Sequence, residues 1–190
     1  MPSVFEVLSR DHEEVKQMLS ELESGPTAAT GASADQLALR KRTAETLVME
    51  ESRHEAAEEM HFWPTVRERL PHGGQLADQA ISQEQEGKEV LAKLDKADAD
   101  DHDFDALLSE FIGAGRDHIA FEENQVWPAL RASLTEAEAS ELGAKIEQAK
   151  KTGPTRPHPH TPAAPGVLKS AGPVAAAADK ARDAMTGRGD

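Results

Sequence analysis

The 190-residue chain contains no cysteine and no tyrosine, and only two tryptophans and five phenylalanines. Without thiols it can form no disulfide, no thiolate zinc site, no iron–sulfur cluster and no cysteine nucleophile. That absence fits a reducing compartment, and the chain reads as a cytoplasmic protein. The lack of tyrosine removes one redox relay and one iron ligand. No run approaches the roughly 20 apolar residues of a membrane helix, so no membrane partner is expected. The N-terminus, MPSVFEVLSRDHEEV, turns acidic at once and lacks a signal-peptide pattern.

Positive charge is also scarce. The formal net charge is -14, and the first 150 residues hold 15 Lys/Arg against 32 Asp/Glu. Residues 151–190 reverse the balance, with six Lys/Arg against three Asp/Glu. So acidic a globular part would repel nucleic acid, but it suits cations. There is no glycine-rich phosphate loop and no plausible serine triad. The stretch HEAAE resembles the zinc-protease H-E-x-x-H motif, but position 58 is glutamate and the motif fails.

What the chain does have is helical patterning. Ser3-Val-Phe-Glu6 is a capping box that opens a helix with an inward stripe of Val4, Leu8, His12, Val15, Leu19 and Leu22. Gly25-Pro26 ends it. Ser33 and Gln36 open a second helix, about 35 to 70, in which Pro64 should kink or end the regular part. A third runs from about 75 to 96 and a fourth from about 104 to 133. Thr135-Glu-Ala-Glu138 opens a short fifth helix with Leu142 and Ile146 as its apolar contacts. The expected fold is all-α: an up-down-up-down four-helix bundle with a short fifth helix over residues 1–150. A flexible, disordered Pro/Ala-rich tail over 151–190 is expected to follow, with only a transient helix in VAAAADKARDAM.

The chain repeats itself. HEAAEEMHFWPTVRERL at 54–70 matches HIAFEENQVWPALRASL at 118–134, an offset of 64 that aligns His54 with His118, Glu58 with Glu122 and Trp63-Pro64 with Trp127-Pro128. The first and third helices align at an offset of 72, pairing Leu19 with Leu91, Lys16 with Lys88 and His12 with Glu84. The design is a doubled helical hairpin.

Six polar residues interrupt the apolar stripes near the middle of their helices: His12, His54, Glu58, Glu84, His118 and Glu122. In an antiparallel bundle the midpoints meet. Three imidazoles and three carboxylates buried together would cost on the order of several kcal/mol per unpaired charge. Either these groups face water, or cations neutralise them, and two divalent or trivalent ions would suffice. His-x-x-x-Glu places both side chains on one helix face, able to serve one ion or two. Mixed imidazole and carboxylate donors suit iron, manganese or zinc better than calcium or magnesium.

This set resembles the hemerythrin-like family of HHE cation-binding domains over residues 3–134. The family pattern is His on the first helix, His-x-x-x-Glu on the second, His on the third and His-x-x-x-Glu on the fourth. The resemblance implies two non-haem iron ions with an oxo or hydroxo bridge. Glu58 and Glu122 would bridge, the histidines would be terminal ligands, and manganese or zinc could substitute. An open position would take dioxygen, hydrogen peroxide or nitric oxide. The third helix departs from the pattern: it has no histidine, and Glu84 stands at the expected position. Gln85, one residue on, and His61, one turn past Glu58, are the alternatives. A carboxylate there would favour oxidised iron and shift the expectation from oxygen carriage towards peroxide or oxygen chemistry, a catalase-like oxidoreductase if an enzyme. Two other functions compete: a metal- or redox-sensing module that signals to a protein partner through the tail, and storage of iron or oxygen without turnover.

Overall fold

A computed structural model describes residues 1–161 and 165–186 of the chain. The first helix, α1, spans Val4–Ser24, and α2 spans Ala34–Ala57. A π turn, Glu58–Phe62, joins α2 to α3, Trp63–Arg69. Helix α4 covers Gly73–Leu94 and α5 covers Phe104–Phe121. A second π turn, Glu122–Val126, leads into α6, Trp127–Ser133. Then follow α7, Glu136–Thr152, and α8, Pro165–Thr186. No strand occurs among the described residues, and no helix there is long and apolar enough to cross a membrane.

The three capping boxes form as the sequence predicts. Ser3, Ser33 and Thr135 each accept from the backbone three residues on, while Glu6, Gln36 and Glu138 reach back to the cap. Each such cap contributes about 1 kcal/mol to its helix.

Two apolar clusters lie at opposite ends of the bundle. One gathers Val4, Leu8, Phe62, Trp63, Ala77, Trp127, Leu142 and Ile146. The other gathers Val15, Leu19, Leu47, Leu91, Phe104, Leu108 and Phe111. Helix α1 runs from the first cluster to the second, α2 returns, α4 crosses again and α5 returns, which is the up-down-up-down order. Between the clusters each helix passes a polar waist at the level of His12, His54, Glu84 and His118.

Close backbone approach fixes two connections. A Cβ on Gly73 would lie 2.0 Å from the Val66 carbonyl oxygen, so the turn from α3 into α4 closes only with glycine there. Just before it, His72 has a left-handed φ of 63°. On α7, a Cβ at Gly143 would lie 2.6 Å from the Pro2 carbonyl oxygen, so the fifth helix packs backbone to backbone against the start of α1.

The C-terminal region departs from the expected disordered tail. Over the described residues, 153–161 and α8 dock on the bundle. Arg156 bridges Asp95 and Asp183, at 2.8 Å each. Thr155 Oγ1 donates to Asp183 at 2.5 Å, and His158 Nε2 lies 2.9 Å from Asp179. Gln85 Nε2 donates to the Pro159 carbonyl at 2.7 Å. Helix α8 rests on the first π turn. These contacts are ion pairs, hydrogen bonds and alanine packing, so no apolar stripe announces them. Positions 162–164 and 187–190 of that expectation lie outside the described residues.

Two outcomes are expected. Gly143→Ala should lower unfolding stability by about 1–3 kcal/mol, read from urea denaturation, because α7 must move off α1. Arg156→Ala should strip hydrogen-exchange protection from α8 while exchange in α1, α2, α4 and α5 stays unchanged.

Candidate metal centre

The repeated Trp-Pro explains how the carboxylates are presented. Proline lacks an amide hydrogen and its ring clashes with the carbonyl four residues back, so a regular α-helix cannot pass through Pro64 or Pro128. The chain widens by one residue instead. The Trp63 amide donates to the Glu58 carbonyl, and the Trp127 amide to the Glu122 carbonyl, each five residues back. Both π turns therefore begin at a glutamate of the waist, and both turn the following tryptophan into the core. Such single π turns inside α-helices recur at functional sites.

The side chains of the waist converge. His54 Nε2 lies 3.2 Å from Glu58 Oε2, and His118 Nε2 lies 3.3 Å from Glu122 Oε1. The other Glu122 oxygen lies 3.2 Å from His12 Nε2, so this carboxylate faces imidazoles from two helices. Two groups have donor atoms within 4.8 Å of one another: His12, His54 and Glu122; and Glu58, Glu84, His118 and Glu122. Glu122 belongs to both.

All six sequence-predicted residues thus come together. His61, half-buried on the π turn, belongs to neither group among the described residues. The wider turn shifts it off the stripe on which an unbroken α-helix would have kept it. Gln85 points its amide at the C-terminal segment rather than into the waist.

Outside the donors stands a layer of orienting contacts. Each imidazole uses Nδ1 for a neighbour and turns Nε2 inward. His12 pairs with Glu123 at 3.0 Å, His54 with Asp11 at 3.4 Å and His118 with Gln83 at 3.1 Å. Glu123 is in turn held by Lys16 at 2.9 Å, and Asp11 by Lys150 at 2.6 Å. Fixing one ring nitrogen this way sets tautomer and ring direction. Glu51 is buried and lines the same crevice as His54.

The internal repeat extends to these contacts. Lys88 pairs with Glu59 as Lys16 pairs with Glu123. Trp127 stacks on His12, with centroids 4.9 Å apart. At the matching place Trp63 Nε1 donates to Glu84 Oε1 at 2.5 Å. Imidazole receives a ring face, and carboxylate receives an N–H. Asp11, Gln83 and Glu123 were not singled out by the helical stripes, because they lie beside them. The matched pairs Lys16/Lys88 and Glu59/Glu123 were the available signal.

Seven donor atoms are buried without any hydrogen bond: His12 Nε2, both Glu58 oxygens, Glu84 Oε2, His118 Nε2 and both Glu122 oxygens. Burial, then the Glu122 charge, pushes Glu58 above the usual carboxylate range. Burial and Glu59 push Glu84 well up. Burial opposes protonation of His118, but Glu122 outweighs it and pushes the imidazole up to about 9. Burial also opposes the charge on Glu122, yet His118 and His12 hold it below the usual range. Without cations, protons would have to neutralise this cluster. The donor set, its burial and its unsatisfied atoms fit bound metal ions.

Comparison with known proteins agrees. The family model for the hemerythrin HHE cation-binding domain matches residues 3–130. An uncharacterised hemerythrin-like protein of Schizosaccharomyces pombe is 28% identical over 186 residues, covering 97% of this chain and 87% of the relative. The crystal structure of a hemerythrin HHE cation-binding domain-containing protein from Mycobacterium kansasii superposes with a TM-score of 0.63 at 21% identity. That match covers 80% of this chain and 89% of the other, and it shows a shared fold. Four crossing helices, a buried His/Glu waist and a family match from α1 into α6 lead to one conclusion: the chain belongs to the hemerythrin HHE cation-binding family.

Proposed function

We propose that the waist holds two iron ions and that the protein binds or reacts with dioxygen, hydrogen peroxide or nitric oxide. The single observation that carries this reading is the set of seven buried donor atoms without a hydrogen bond at the waist. His12, His54 and Glu122 would hold one ion. Glu84, His118 and Glu122 would hold the other, and Glu58, within 3.2 Å of His54 Nε2 and a member of the second group, would reach both. Manganese or zinc fits the same donors. Bound iron supplies redox chemistry and open coordination positions for a small ligand.

The protein's own part is positional. Trp63 ties down one Glu84 oxygen and leaves the other turned inward. Asp11, Gln83 and Glu123 keep three Nε2 atoms aimed at the same space. The apolar clusters above and below exclude water, which strengthens every charge interaction inside. With Glu84 where the family pattern has an imidazole, the donor set is richer in anions. That stabilises the more oxidised ions and favours peroxide or dioxygen chemistry over reversible carriage.

A second reading is a metal- or redox-sensing module. It is favoured by the seating of α8 on the π turn that carries Glu58, and by the hydrogen bond from Gln85 to Pro159 beside Glu84. Changes at the waist would then alter the docking of the C-terminal segment for a protein partner.

Metal analysis of the purified chain should give two irons per chain, with near-ultraviolet absorption that changes on adding peroxide. Iron-loaded protein that neither changes spectrum nor consumes any of the three small molecules would refute the reactive reading. His54→Ala and His118→Ala should each lose iron and lower the unfolding midpoint, as chelation should in the parent chain. In the metal-free site Glu122 favours a protonated His118 up to about pH 9, and a bound cation must displace that proton into solvent. Apparent zinc affinity, measured by chelator competition, should therefore fall by roughly tenfold per pH unit for that proton as pH drops below about 9.

A further inference from the structure

The two π turns are copies in sequence but not in setting. The third position of the first turn is Met60, and the offset of 64 puts Asn124 at the same place in the second. Asn124 is exposed and donates to the Ala120 carbonyl of its own helix at 2.8 Å. Its turn packs chiefly against the flanking helices α5 and α6. The first turn is instead the main seat of α8. There Met60 is half-buried and lines a cavity with Ala56 and Ala149 of the bundle and with Pro154, Pro157 and Ala175 of the C-terminal segment. A thioether thus stands where the segment docks, and a polar amide stands where the turn is bare.

The cavity offers a polar group at position 60 little to bond with. Its three nitrogen-bearing side chains already have acceptors: Lys88 on Glu59, Arg156 between Asp95 and Asp183, and His158 on Asp179. Ser52 and Thr152 donate to carbonyls of their own helices. Arg156 Nε has no partner, but it has no exposed surface either and so faces packed atoms. Methionine suits such a place because it is apolar, polarizable and adaptable in shape. With no cysteine in the chain, methionine is also its only sulfur. Hydrogen peroxide converts that sulfur into a polar sulfoxide, which methionine sulfoxide reductases reverse. Being only half-buried, Met60 lies within reach of so small an oxidant.

We propose that Met60 is a peroxide-sensitive modification site whose oxidation releases the C-terminal segment from the bundle. The proposal rests on the redox-sensing reading for peroxide as the oxidant, and it needs no change at the metal ions. The Met60 sulfur gives an electron pair to one peroxide oxygen, the O–O bond breaks and an S–O bond forms. The other oxygen leaves as water with both peroxide protons, so sulfur is oxidised and peroxide reduced. The sulfoxide oxygen is then left in the cavity without a donor, an unfavourable place for a polar group. Undocking of residues 153–161 and α8 lets water solvate it. Met1 and Met185 are 90% and 83% exposed, so their oxidation disturbs no packing.

The test uses the full chain loaded with zinc, so that the waist cannot turn peroxide over. After a peroxide pulse, peptide mass spectrometry should find one added oxygen on Met60, and hydrogen exchange in α8 should quicken by roughly tenfold. Exchange in α1, α2, α4 and α5 should stay unchanged, and a methionine sulfoxide reductase should restore α8. Met60→Leu should keep α8 protected through the same pulse. Met60→Asn gives the first turn the residue that the second already accommodates, and it should loosen α8 without any peroxide. The proposal is overturned if Met60 oxidises while α8 stays protected, or if Met60 stays reduced while Met1 and Met185 oxidise. It is equally overturned if peroxide loosens α8 in Met60→Leu as it does in the parent chain. Iron-loaded protein indifferent to peroxide would count against the reading of the waist instead, and it would leave the zinc result standing.

Discussion

Everything in this molecule is arranged around the mutual repulsion of buried carboxylates. Glu58, Glu84 and Glu122, each almost fully buried, approach one another from three helices. Their charges cannot be left uncompensated in a fold whose net stability is about 5–15 kcal/mol. The apolar clusters at the two ends hold the helices together and force the charges to meet. Cations are the partner that turns that enforced meeting into an attraction. Fold and site are therefore one problem, since the packing that stabilises the bundle also creates the demand for metal.

The way the chain delivers its donors follows from two local rules. The i, i+4 spacing puts His54 over Glu58 and His118 over Glu122 on single helix faces. Proline at the same offset in each copy then forces a wide turn that starts at the glutamate. The two tryptophans that precede the prolines become the caps of the opposite hairpin. Because one cap meets histidine and the other meets glutamate, the same side chain makes a stacked contact in one half and a hydrogen bond in the other.

Much of this was legible in the sequence, and the reason is physical. Cation donors must be polar yet buried, so they break an apolar stripe at a place where nothing else explains a break. The capping boxes at Ser3, Ser33 and Thr135 are equally local, since each depends on residues three apart. What escaped was non-local or off the stripe. Asp11, Gln83 and Glu123 sit beside the inward face and become meaningful only when another helix supplies the imidazole. The π turns appear in sequence only as a proline that must disturb a helix, with no statement of how, and that change of pitch is what takes His61 away from the waist. The C-terminal segment docks through Arg156, Thr155 and His158 onto acidic partners far along the chain, and hydrophobic periodicity is blind to such contacts.

The replacement of histidine by Glu84 has one more consequence. The chain is built from two nearly equal halves, yet the halves are no longer chemically equal. His12 and His54 crowd one side with nitrogen, while Glu58 and Glu84 crowd the other with oxygen. Oxygen-rich surroundings prefer the harder, more highly charged ion, and nitrogen-rich surroundings the softer one. A duplicated site that would otherwise offer two equivalent donor sets thus carries a built-in polarity. That polarity would set two bound cations apart from each other.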